Sequence, residues 1–204
     1  MTDQPQLYLV SPPEIDLETF VPRLEACLDA VPVACLRLDL ATRDEDAIAR
    51  AADTLREIAH ARDIPLVITD HWLLAERLGL DGVHLSDGPR QVRKARKALP
   101  EDAIVGAFCG TSRHDGMTAG EAGADYVAFG PAGETALGGG ARAEAEMFGW
   151  WSEMIELPVV AEGALDPVTL RALAPVTDFF SLREEIWGEA DPAAALRGIY
   201  DALT

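Results

Sequence analysis

Positive charge is scarce in this chain. Lysine and arginine number 17 against 35 aspartates and glutamates, a formal net charge of −18. That speaks against nucleic acid as a partner, because affinity for it comes largely from neutralising phosphates. It speaks equally against an anionic membrane surface. Long apolar runs are also missing, and none reaches the length that spans a bilayer. The first residues, Met1 to Leu7, are polar and lack the apolar segment of a secretory signal. Cysteine is sparse: Cys27, Cys35 and Cys109 are odd in number and show no metal-ligand spacing, which suits a reducing compartment. The expectation is a soluble cytoplasmic protein. No proline- or serine-rich linker divides the chain, so residues 1–204 read as one domain.

What is present is apolar material, 49% of the residues, in short runs. The runs are 7–10, 34–38, 65–68, 82–85, 104–108, 126–129, 158–161 and 178–181. They do not alternate with polar residues, the mark of strands buried on both faces in a parallel sheet. Helical patterns fill the intervals at 16–28, 42–61, 71–78, 90–99, 116–122, 143–155, 167–174 and 192–203. Strand and helix therefore alternate eight times, which predicts a compact (β/α)8 TIM barrel, with a doubly wound open sheet as the alternative. Gly79 and Gly123, each followed two residues later by aspartate, read as helix C-caps leading into strands.

In such a barrel the chemistry sits on loops after the strand C-termini. The longest of these is rich in glycine, from Gly130 through Gly133, Thr135, Gly138 and Gly139 to Gly140. Glycines let backbone approach a ligand closely, so the loop reads as a cradle for phosphate or another small anion. Yet it carries Glu134 and no cation before Arg142. A cradle for a highly charged substrate pairs its backbone donors with cations, and this one does not.

Several stretches resemble the thiamine phosphate synthase family and its relative, the thiazole tautomerase TenI. Leu7-Tyr8-Leu9-Val10 resembles the family's opening strand. Residues 65–71, Pro-Leu-Val-Ile-Thr-Asp-His, are similar to its "P-L-I-I-N-D-R", and 78–85 to "L-G-A-D-G-V-H-L". Gly123 to Pro131 is similar to "G-A-D-Y-V-G-x-G-P", and Pro158 to Gly163 resembles "P-V-V-A-I-G-G". The resemblance implies a (β/α)8 barrel joining a hydroxymethylpyrimidine pyrophosphate to a thiazole phosphate, with magnesium at the departing pyrophosphate and no organic cofactor. It implies Asp70 as one metal carboxylate. The second would fall at Pro89, with Asp87 two residues away as a substitute. Arg37 would steady phosphate, and Gly163 and Ala164 would offer it backbone N–H groups. The resemblance also exposes losses. Asp39 stands where it implies lysine, Gly110 where it implies histidine, Leu137-Gly138 where it implies Thr-Lys, and Glu184 where it implies serine.

Each candidate has a plainer reading. Asp70 is a metal ligand or the N-cap of the following helix, and Asp87 a ligand or a turn residue before Gly88-Pro89. Arg37 is a phosphate cation or the partner of Asp39, Asp70 or Glu184. His84 is an acid–base group or a hydrogen-bonded core residue. Glu162, with Glu134 or Glu184, is a candidate base for a less anionic substrate. Cys109 is a nucleophile or an inert loop thiol. Of Trp150 and Trp151 one is expected on the surface, as a partner surface or as a subunit contact in a homo-oligomer. Arg90, Arg93, Lys94, Arg96 and Lys97 read as a solvated helix face. Three functions remain: synthase activity, weakened or lost with the missing cations; a non-catalytic barrel binding a small phosphorylated molecule; and a different reaction run by the mouth carboxylates.

Overall fold

A computed structural model of the chain describes residues 4–134 and 141–204. The parallel strands β1 (Gln6–Val10), β2 (Cys35–Leu38), β3 (Leu66–Thr69), β4 (Gly82–Leu85), β5 (Ile104–Phe108), β6 (Tyr126–Phe129), β7 (Val159–Glu162) and β8 (Phe179–Leu182) close into a barrel in chain order. Around them run α1 (Leu17–Ala30), α2 (Glu45–His60), α3 (Trp72–Leu78), α4 (Val92–Ala98), α5 (Arg113–Ala122), α6 (Ala145–Met154), α7 (Pro167–Leu173), α8 (Glu184–Trp187) and α9 (Pro192–Leu203). This is the expected (β/α)8 barrel. No described helix is long and apolar enough to cross a membrane.

The strands are buried almost throughout because they have two apolar environments. Their outer faces meet the helices. Their inner faces form a second cluster of Tyr8, Val10, Cys35, Val67, Tyr126 and Val160. The helices begin on caps that the sequence supplies. Asp16, Asp44, Ser112, Asp166 and Asp191 each accept a backbone N–H from the first turn. Gly79 and Gly123 close α3 and α5 in the left-handed conformation, at φ +63° and +103°.

The aspartate two residues after each of these glycines has a task of its own. The Asp81 carboxylate accepts the N–H of Leu66 at 2.7 Å, and its own N–H donates to the Leu66 carbonyl at 3.0 Å. Asp125 repeats this with Val105, and Asp178 with Val159. Three of the strand pairs, β3–β4, β5–β6 and β7–β8, are thus pinned in register at the entrance of the barrel, opposite the mouth.

Four expectations are corrected. The helix expected from residue 90 begins as a 3₁₀ turn, Gly88–Gln91, before α4. Arg96 on α4 is not part of a solvated face: it is half-buried, donating to the carbonyls of Ala103 and Gly123 and pairing with Asp125. Trp151 is fully buried, but Trp150 is only half-exposed, with the Arg113 guanidinium 4.9 Å above its ring. The four-residue helix α8 was not foreseen, being too short to show a period. Trp187 at its end anchors it, donating from Nε1 to the Val10 carbonyl at 2.6 Å.

Candidate active site at the barrel mouth

Arg37 on β2 points into the barrel and is 2% exposed. Its two terminal nitrogens donate to both carboxylate oxygens of Glu162, at the end of β7, at 3.1 and 2.6 Å. Its guanidinium carbon lies 5.7 Å from the centroid of the Tyr8 ring. Burial, the largest single influence, would drive the guanidinium towards neutrality, but the attraction and hydrogen bonds of the Glu162 carboxylate, joined by the neighbouring tyrosines, together hold it protonated. The expected partners of Arg37 were Asp39, Asp70 or Glu184, and none of them takes it. Asp39 is joined instead to Arg183, just after β8. Two ion pairs therefore tie the end of β2 to the ends of β7 and β8.

Below them runs a line of buried hydrogen bonds. Tyr8 Oη and Tyr126 Oη are 2.8 Å apart, and Tyr126 Oη is 2.8 Å from His84 Nδ1. Burial first, then the charges of Arg37 and Arg183, push the His84 pKa well below the ordinary histidine value. His84 is a neutral, hydrogen-bonded interior residue, the plainer of its two readings. Tyr126 reaches this position only because β5 offers Gly106. A Cβ at residue 106 would lie 2.0 Å from Tyr126 Cζ.

This arrangement makes stability depend on pH. Below about pH 6.5 the unfolded chain takes up a proton at His84 that the folded chain refuses. Stability therefore falls as pH drops through that range, by up to about 1.4 kcal/mol per pH unit from this group. Urea unfolding of the native chain and of His84→Gln between pH 7 and pH 5 should show the native chain losing about 2 kcal/mol more. Parallel curves would contradict the assignment.

Asp70 lies just past β3 with φ +60°. It does not cap α3, whose N-cap is His71 with no side-chain bond. Its carboxylate accepts the backbone N–H of Ser86 at 2.8 Å and the Ser86 hydroxyl as well. Asp87, the next residue, accepts from Gln91 Nε2 at 3.1 Å through one oxygen, while its Oδ1 is buried without a hydrogen-bond partner. Asp70 is thus held by one residue of the β4 loop, and the next residue there, Asp87, keeps one buried acceptor without a partner. No cluster of three or more His, Cys, Asp or Glu side chains suited to a metal occurs among the described residues. Arg37 Nε, Thr69 Oγ1 and Ser181 Oγ are also buried and unpartnered.

The glycine-rich loop is explained in its described part. Ala132 and Gly133 donate to the carbonyls of Glu162 and Gly163 at 3.0–3.1 Å. A Cβ at Gly130 would lie 2.3 Å from the Glu162 carbonyl oxygen, and one at Gly133 would lie 1.6 Å from that of Ala164. These two glycines let the β6 and β7 loops lie against each other. Thr135, Gly138 and Gly139, expected as phosphate contacts, lie outside the described residues. Gly163 and Ala164 turn the β7 loop with φ +86° and +55°. Beyond them Leu165 N–H donates to Glu185 Oε1, and Arg183 N–H donates to Glu185 Oε2, both at 2.9 Å. A cavity of about 540 Å³ opens here, lined by Glu134, Arg142, Ala164, Leu165, Glu184 and Glu185 among others. Glu134 pairs with Arg142 at 3.6 Å, and Glu184 is exposed. Cys109 is buried and its thiol is pushed up to about 12, mainly by that burial, which leaves it inert.

A family model described as thiamine monophosphate synthase matches residues 7–179. The chain belongs to the thiamine monophosphate synthase family. It is 43% identical over 201 residues to a thiamine-phosphate synthase of Rhodospirillum centenum, covering 96% of each chain. It is 37% identical over 195 residues to one of Erythrobacter litoralis, covering 93% of this chain and 91% of that one. Among solved structures it superposes on a thiamine phosphate pyrophosphorylase from Pyrococcus furiosus with a TM-score of 0.84 and 19% identity, over 97% of this chain and 95% of that one.

Within this family frame, Asp39 stands in the position where the resemblance implies lysine, and Arg183 supplies a cation from the other side of the seam. Reading the residues one at a time missed Arg183, Tyr8, Tyr126 and Glu185. Tyr8 stands second in the run 7–10 and Tyr126 first in the run 126–129, both at inward positions, a signal that was available. The pairing of Arg183 with Asp39 carries none, because barrel closure brings them together, and that of Glu185 with Leu165 joins two loops 20 residues apart.

Proposed function

We propose that this chain joins hydroxymethylpyrimidine pyrophosphate to thiazole phosphate with release of pyrophosphate, at a rate limited by how its mouth cations are engaged. The observation that supports the reading is Asp70, held by Ser86 of the adjoining loop, where the next residue, Asp87, keeps a buried oxygen without a hydrogen-bond partner. Such a set suits magnesium, a hard ion held by one or two carboxylates together with waters and substrate phosphates. When bound, the ion would offset charge gathering on the departing pyrophosphate. Arg37 holds its place through Glu162 and keeps its Nε–H free for an acceptor in the barrel. Glu162, tied to both guanidinium nitrogens, acts here as the holder of that cation rather than as a free base. His84, neutral and fixed by Tyr126, contributes a polar wall without charge.

The test is direct. With both precursors and magnesium, the chain should release thiamine phosphate and pyrophosphate, slowly, and Asp70→Ala should slow it further by about tenfold, or 1.4 kcal/mol in barrier. Failure to form product would overturn the reading. The pairing of both Arg37 and Arg183 with carboxylates favours the second reading, a barrel that binds a small phosphorylated molecule without turning it over. Thermal stabilisation by thiazole phosphate in a chain that makes no product would establish it.

A further inference from the structure

A (β/α)8 barrel commonly receives phosphate where the loops after β7 and β8 present backbone N–H groups. In this chain two such groups, Leu165 N–H and Arg183 N–H, converge from those two loops, and both already hold an anion. It is the Glu185 carboxylate, one oxygen to each donor at 2.9 Å. The nearest cation of the β8 loop, Arg183, is turned to Asp39. The adjoining cavity adds Glu134, Asp166 and Glu184 to its walls, with Arg142 as the basic lining residue.

We propose that Glu185 is a specificity-determining residue: an internal anion that occupies these two donors and weakens the mouth's hold on phosphate monoesters. A monoester arriving there must take both N–H groups from Glu185. The displaced carboxylate then shares the cavity walls with Asp166 and Glu184, and with Glu134 that Arg142 already pairs, and the unpaired like charges oppose the exchange. The position thus discriminates against a doubly charged terminal phosphate and favours ligands that carry less charge at this edge. The inference rests on the reading above that the mouth receives phosphorylated molecules, and it names the residue that limits how tightly.

Inorganic phosphate is the probe, titrated into ¹⁵N-labelled native chain, Glu185→Gln and Glu185→Ala at fixed ionic strength, with sulfate as the comparison anion. In Glu185→Ala, phosphate should shift the Leu165 and Arg183 amide signals with an affinity at least about tenfold above that of the native chain. Glu185→Gln, which keeps the shape and loses the charge, should fall between. Equal affinity in all three, or tighter binding that leaves those two amides unmoved, would overturn the proposal. Should Glu185→Ala fail to fold, Glu185→Gln carries the same comparison. No turnover enters this measurement, so it can fail while product formation succeeds, and the reverse.

Discussion

Replacing Glu162 by glutamine should cost the barrel about 3 kcal/mol, a fall of about 6–12 °C in melting temperature for a chain of this size. The loss would come less from the missing attraction than from what it leaves behind. Arg37 is 2% exposed and shielded from bulk solvent, so a cation without its carboxylate is stranded in the interior. The figure is set at the lower end of the usual range because Glu162 is 23% exposed and solvent already screens part of the pair. The double variant Arg37→Met/Glu162→Gln removes both charges and should return to within about 1 kcal/mol of the native chain. Denaturant unfolding of the three proteins decides the matter. A single variant as stable as the native chain, or a double variant no better than the single, would show that the pair is not what holds Arg37 in place.

Gly106→Ala should be comparably damaging for a different reason. The backbone at 106 accepts any residue, and alanine in a strand is ordinarily no worse than glycine. The added methyl, however, would lie 2.0 Å from Tyr126 Cζ and 2.4 Å from its hydroxyl oxygen. The ring cannot yield, being packed in the barrel with its hydroxyl between Tyr8 and His84. Overpacking and lost hydrogen bonds together predict about 2–4 kcal/mol. Tyr126→Ala alone should cost about 3–5 kcal/mol by opening a cavity. The combination should cost no more than Tyr126→Ala, because without the ring the methyl has nothing to strike. Additive losses in that cycle would mean that the clash is not with Tyr126.

The sequence made the strands legible and the site only partly so, for one physical reason. A strand buried on both faces writes an unbroken apolar run, and β4 (Gly82–Leu85), β5 (Ile104–Phe108) and β6 (Tyr126–Phe129) fall where such runs predicted. The cap glycines Gly79 and Gly123 were equally plain, since their conformation is a local property. Pairings across the barrel are not local. Arg37 and Glu162 stand 125 residues apart and meet because β1 closes against β8. No residue near Arg37 in the chain announces its partner, so the nearby acids Asp39 and Asp70 were the natural but incorrect choices. Asp70 misled in another way. An aspartate before a helix reads as a cap, but its left-handed backbone and its bonds to Ser86 turn it to the neighbouring loop.

The aspartates that pin β4, β6 and β8 to their preceding strands do so at the end of the barrel remote from the mouth. Strand alignment is therefore decided by residues that touch no ligand. Exchanging Asp39 or Glu185 at the mouth would leave these register bonds intact. Charge at the mouth is free to drift because the scaffold's alignment does not depend on it. That separation lets kinship remain readable along nearly the whole chain whatever side chains stand at its rim.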